Sequence, residues 1–298
     1  MKFAKILCAV GLLCAGWMSS ATAETRLGAQ APEGEPARRQ PWLVPTSAAD
    51  VSIPALLFRP AGDGPFPFAI IAAASPQKAV RRAQVAPEYR TLANWLVTRG
   101  YAVLVTEPPG QVTTGGRALN DPVSCDDASY LRVGRAMAAS ITATLNYMRA
   151  QSFVRPDGDL IVGHSVGSWG ALAMAGQDLS GISAIVVFAP GLISHSNKKG
   201  SQVCAPQHAI VAAMEFGKDA HLPVVWMVAR NDSHAPPALS RQLADAFRAG
   251  GDKVDFRELP DFRNDGHILA EADGGDELYG ATLDSALKAI TTRPARKR

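Results

Sequence analysis

A serine with a glycine two residues away on either side, Gly163-His164-Ser165-Val166-Gly167, carries the strongest chemical signal in this sequence. The pattern G-x-S-x-G suits a nucleophile on a strand-to-helix turn too tight for a Cβ at either end. A hydroxyl attacks an acyl carbon only when a base takes its proton, so a histidine and an orienting carboxylate are required. With a serine turn of this kind the order along the chain is Ser, then Asp or Glu, then His. Asp232 in Asn231-Asp232-Ser233 follows one late apolar run, and His267 in Asn264-Asp265-Gly266-His267 follows the next. The roles follow: Ser165 attacks, His267 relays the proton, and Asp232 fixes the imidazole tautomer. Asp265 and Asp261 are rival carboxylates, both in the histidine loop. His164 reads as a packed strand-end residue. His234 is close enough to Asp232 to line a pocket, while His195, His208 and His221 match no role by position. The oxyanion formed by attack needs two backbone N–H donors. Val166 supplies one. The other comes from Ala74-Ser75-Pro76, where Pro76 has no N–H; Ser75 is assigned, with Ala74 as the alternative.

These groups need a scaffold that delivers them to one edge. Phe68–Ala74, Tyr101–Thr106, Asp159–Gly163, Ile182–Ala189 and Pro223–Ala229 are apolar runs of strand length, and Lys253–Leu259 is a sixth strand. Helical periodicity separates them over Glu88–Arg99, Asp127–Ala150, Val166–Gly176, Ala209–Phe216 and Ala238–Ala249, and closes the chain over Glu277–Thr291. Strands without alternation are buried on both faces, which implies an α/β fold with a mostly parallel central sheet and helices on both faces. Val51–Arg59 forms a further strand. Residues 24–50 read as an irregular arm with an edge strand near Trp42–Val44, residues 51–293 as one catalytic domain, and residues 294–298 as a basic tail.

Composition narrows the function class. Hydrophobic residues make up 47% and charged residues 19% of the 298, which excludes a disordered chain. Lys2 and Lys5, an apolar run from Ile6 to Met18, and Ala21-Thr22-Ala23 have the order of a secretory signal peptide over residues 1–23. That run is too short to span a bilayer, so no stable membrane insertion is expected after cleavage. Without Lys2 and Lys5 the remaining basic residues nearly balance the 27 acidic ones, and no nucleic-acid partner is indicated. Cys125 and Cys204 remain as a pair in an oxidising compartment, periplasmic or secreted, where one disulfide is expected; two buried thiols are the other reading. No C-x-x-C and no histidines paired at helix spacing suggest a metal, and the chemistry calls for no cofactor.

Several stretches together resemble the α/β-hydrolase superfamily, and within it the dienelactone hydrolase-like esterases. They are Gly64-Pro65-Phe66-Pro67, Leu92-Ala93-Asn94-Trp95-Leu96 with Arg99-Gly100-Tyr101-Ala102-Val103, the Gly163–Gly167 turn, Asn231-Asp232-Ser233, and Asn264-Asp265-Gly266-His267. The resemblance spans roughly residues 51–290 and implies a serine hydrolase acting on a small-molecule ester through an acyl-enzyme. Two departures stand out. The enzymes that give the family its name use cysteine where Ser165 stands, which favours general ester hydrolysis over lactone opening. Ala73-Ala74 stands where His-Gly is common. A peptidase, amidase or acyltransferase of the same fold is the alternative enzyme. A non-catalytic binding protein on this scaffold would be marked by loss of a triad member, and none is lost.

Overall fold

The computed structural model describes residues 26–75, 88–108, 129–191, 203, 205–251 and 253–291. Nine strands form one sheet: β1 (Gly28–Ala29), β2 (Gln40–Pro45), β3 (Ser52–Phe58), β4 (Phe68–Ala72), β5 (Ala102–Thr106), β6 (Asp159–His164), β7 (Ile182–Phe188), β8 (Val224–Ala229) and β9 (Val254–Leu259). Their order across the sheet is β1-β2-β3-β5-β4-β6-β7-β8-β9. From β5 to β9 every pairing is parallel, while β1, β2 and β3 join antiparallel at one side. The described helices are α1 (Arg90–Val97), α2 (Tyr130–Arg149), α3 (Val166–Met174), α4 (Pro206–Lys218), α5 (Pro237–Gly250) and α6 (Asp276–Thr291), with a 3₁₀ turn at Gly266–Ala270.

The apolar runs explain the layering. Every residue of β4, β5, β6 and β8 is buried. Successive residues serve opposite faces, as strand geometry requires. Phe68, Ile70 and Ala72 pack with α2, α3, α4 and α5 on one face. Ala69, Ile71 and Ala73 pack with α1 and α6 on the other. The described part of the arm, residues 26–50, is more regular than its sequence suggests, because β1 and β2 extend the same sheet. The expected edge strand near Trp42–Val44 runs from Gln40 to Pro45 and pairs along its length with β3.

This topology creates the site's location. β5 and β6 lie on opposite sides of β4. The chain therefore diverges at the C-terminal ends of these strands and leaves a crevice there, the usual ligand position in open α/β sheets. Ser75, Ser165, Asp232 and His267 all follow the C-terminal ends of strands, after β4, β6, β8 and β9 respectively.

Candidate active site

Ser165 sits on the turn between β6 and α3 with φ 53° and ψ −117°, a conformation that costs a non-glycine residue energy. Close packing holds it there. A Cβ on Gly163 would lie 2.5 Å from Ser168 Cα, and one on Gly167 would run into the carbonyl of Ala72, across from Gly163 in the sheet register. The Ser165 N–H donates to Phe188 O at 2.9 Å, fixing the turn to β7. Val166 opens α3, so its N–H belongs to the first turn, whose amides lack intrahelical acceptors and favour negative charge.

Asp232 and His267 come together as expected. His267 Nδ1 is 3.2 Å from each carboxylate oxygen of Asp232, and both residues are buried. Asp232 Oδ1 also accepts the N–H groups of His234 (2.9 Å) and Ala235 (2.7 Å). Burial alone would raise this carboxyl's pKa. The His267 hydrogen bond and charge, with the Ala235 and His234 amides, outweigh burial and hold it below the ordinary aspartate value. Among the described residues, no hydrogen bond joins the Ser165 hydroxyl to the His267 ring.

Asp265 has a different task from Asp232. Its Oδ1 accepts the backbone N–H of His267 (3.0 Å), capping the 3₁₀ turn, and that of Ser233 (3.1 Å); its Oδ2 accepts the Ser233 hydroxyl (2.6 Å). It clamps the acid loop to the histidine loop. Gly266 lies where a Cβ would be 2.6 Å from Asn231 Oδ1, so the two loops meet only with glycine there. Asp261 lies away from the pair, bound to Arg230 at 2.8 Å.

The two loops carry the same pattern, Asn231-Asp232-Ser233-His234 and Asn264-Asp265-Gly266-His267, and they cross. Asp232 meets the His267 ring, and Asp265 lies 3.3 Å from Nδ1 of His234. The imidazoles of His234 and His267 stack with centroids 4.4 Å apart and planes at 33°. Asp232, His234 and His267 each offer a ligand atom within 4.8 Å of the others, a spacing a metal ion could use.

Sequence reasoning missed Tyr89. Its hydroxyl oxygen accepts the Ala74 N–H at 2.9 Å and lies 2.6 Å from His164 Nδ1. The Ala74 N–H is thereby committed to Tyr89. No local pattern marks a tyrosine this far along the chain from its partners. Cys125 and Cys204 lie outside the described residues.

No protein-family model matches the chain, and no curated protein matches it. Solved structures do. An esterase from an Arctic intertidal metagenomic library superposes with a TM-score of 0.57 at 15% identity, covering 88% of this chain and 99% of its own. A Klebsiella pneumoniae protein assigned as a dienelactone hydrolase gives 0.53 at 16%, covering 86% and 99%. The chain has the α/β-hydrolase fold. Porphyromonas gingivalis dipeptidyl peptidase 4 gives a TM-score of 0.56 at 13% identity, covering 87% of this chain, which spans only 36% of that longer one. Ser165, Asp232 and His267 lie on the turn after β6, the loop after β8 and the loop after β9 of this fold.

Proposed function

We propose that this protein is a serine hydrolase of small carboxylic esters, working through Ser165, Asp232 and His267. The observation that carries the reading is the joint one of a serine forced to φ 53° at the head of α3 and a buried Asp232–His267 pair on the same sheet edge. Asp232 accepts the Nδ1 proton of His267, which leaves Nε2 as the base. Nε2 takes the Ser165 proton as Oγ bonds to the ester carbonyl carbon. The carbonyl oxygen becomes an oxyanion, held by the N–H groups of Val166 and Ser75. Collapse expels the alcohol, which receives the proton from His267, and leaves an acyl group on Ser165. Water, deprotonated by His267, then releases the acid and restores the hydroxyl.

Esters are favoured over peptides by the neighbours that align along their whole length. The neighbours matched end to end are described as an esterase and a dienelactone hydrolase, whereas the peptidase is a far longer chain. Parallel assays of nitrophenyl esters of increasing acyl length and of matched anilides test this. Turnover of short esters with anilides inert is expected; preference for anilides would contradict the substrate class. We further propose export with cleavage after Ala23 and a Cys125–Cys204 disulfide. Among the described residues no helix is long and apolar enough to cross a membrane. Intact mass and non-reducing peptide mapping of protein from its native compartment should give a chain starting near Glu24 with the two cysteines joined. A retained residues 1–23 segment, or two free thiols, would contradict the corresponding half.

A further inference from the structure

Directly behind the nucleophile, His164 is buried without a role in the proposed chemistry. Its Nε2 lies 2.7 Å from the backbone oxygen of His267, an atom that can only accept. Nε2 therefore carries the proton, and a neutral ring then presents Nδ1 as an acceptor. The Tyr89 hydroxyl, 2.6 Å away, donates to Nδ1, and its oxygen accepts the Ala74 N–H at 2.9 Å. One directed chain thus runs from the Ala74 amide through Tyr89 and His164 to the His267 carbonyl. Burial, then the neighbouring His267 charge, pushes the His164 pKa down to about 3, and burial pushes the Tyr89 hydroxyl well above its ordinary value. Both groups stay neutral through the range where an esterase works.

The chain ends are informative. Ala74 immediately precedes Ser75, the assigned oxyanion donor, and His267 is the assigned base. Of the two inner members, His164 adjoins Ser165. Tyr89 itself holds φ 45° and ψ 39° at the head of α1, a left-handed conformation that is a real outlier for a bulky residue. Two apolar side chains in this volume would leave no buried polar groups to satisfy. We propose that Tyr89 and His164 are positioning residues that lock the oxyanion loop to the histidine loop, keeping donor and base in one register across Ser165. This rests on the serine hydrolase reading of the same site.

Tyr89→Phe keeps the ring and removes the link. Deleting an oxyanion donor outright costs ~10²–10³ in kcat, so a displaced donor should cost about 10- to 100-fold. KM for a short ester should move less than about twofold, because ground-state binding does not use the oxyanion register. Affinity for a boronic acid that mimics the tetrahedral state should fall with kcat/KM. A merely structural role would lower the melting temperature without this split. In ¹⁵N-histidine spectra of the wild type, His164 should carry its proton on Nε2 and stay neutral to below pH 4. Unchanged kcat in a folded Tyr89→Phe protein overturns the inference. So does a His164 protonated on Nδ1, which decides the matter should the variant not fold. A wild type inert towards fluorophosphonate would instead overturn the hydrolase reading beneath it.

Discussion

Replacing Asp232 by asparagine changes one atom and separates orientation from shape. Oδ1 of Asp232 accepts two backbone N–H groups, from His234 at 2.9 Å and Ala235 at 2.7 Å. An asparagine must keep its oxygen there, because an NH₂ would face two donors. Its NH₂ therefore takes the Oδ2 position, 3.2 Å from His267 Nδ1. A donor facing Nδ1 makes that nitrogen the acceptor and moves the ring proton to Nε2. The base nitrogen can then no longer take the Ser165 proton. Turnover should fall by ~10⁴, about 5 kcal/mol of transition-state stabilisation, while the fold persists. Asp265→Asn is the control. Its oxygen stays at Oδ1, held by the amides of Ser233 and His267, and its NH₂ can donate to the Ser233 hydroxyl that previously donated to Oδ2. With the loop clamp kept, the loss should be within ~1 kcal/mol, about fivefold in rate. Both variants are assayed by kcat/KM on a chromogenic short-chain ester, with circular dichroism as the check on folding. A nearly active Asp232→Asn beside a dead Asp265→Asn would refute the assignment and place both partners in the loop after β9.

Other perturbations test separate parts of the site. Ser165→Ala should lose ~10⁴–10⁶ in kcat, and adding His267→Ala should cost little more, since the residues act as a unit; additive losses would separate them. Gly167→Ala drives a methyl into the Ala72 carbonyl and should destabilise by ~3 kcal/mol in urea titration, whereas a neutral result would mean the elbow packs more loosely than described. For Asp232 and Asp265 burial raises the carboxyl pKa, but hydrogen bonds from His267 and from Ser233 respectively outweigh it, so both fall below the ordinary value. The unfolded chain then takes up protons first as pH drops. Stability should be full above ~pH 4 and be lost as pH falls through the folded values, and Asp265→Asn should make that acid limb shallower. An unchanged limb would contradict the Asp265 part.

The central strands were legible because burial on both faces leaves unbroken apolar runs, as in Phe68–Ala72 and Val224–Ala229. The arm was harder to read. β1 is two residues long, and β2 is punctuated by Pro41 and Pro45, so only Trp42–Val44 looked like strand. Pro206 at the first position of α4 was the available start signal for a helix expected only from Ala209. Ser165, Asp232 and His267 stood out because strand ends and residue types coincide. Asp265 and Asp232 could be ranked by topology alone, yet the clamp made by Asp265 depends on contacts across loops. The Tyr89–His164 link leaves no trace in spacing, since it joins α1 to β6 through the interior. The repeated Asn-Asp-x-His tetrapeptide was the one overlooked sequence signal for the crossed loops.

The most direct measurement is fluorophosphonate labelling of the purified protein, with the modified peptide located by mass spectrometry. The adduct should form on Ser165 alone, at a rate that Asp232→Asn and His267→Ala both suppress while the fold persists. A folded wild-type chain that takes no label, or takes it on another residue, would contradict the claim that Ser165 is an activated nucleophile.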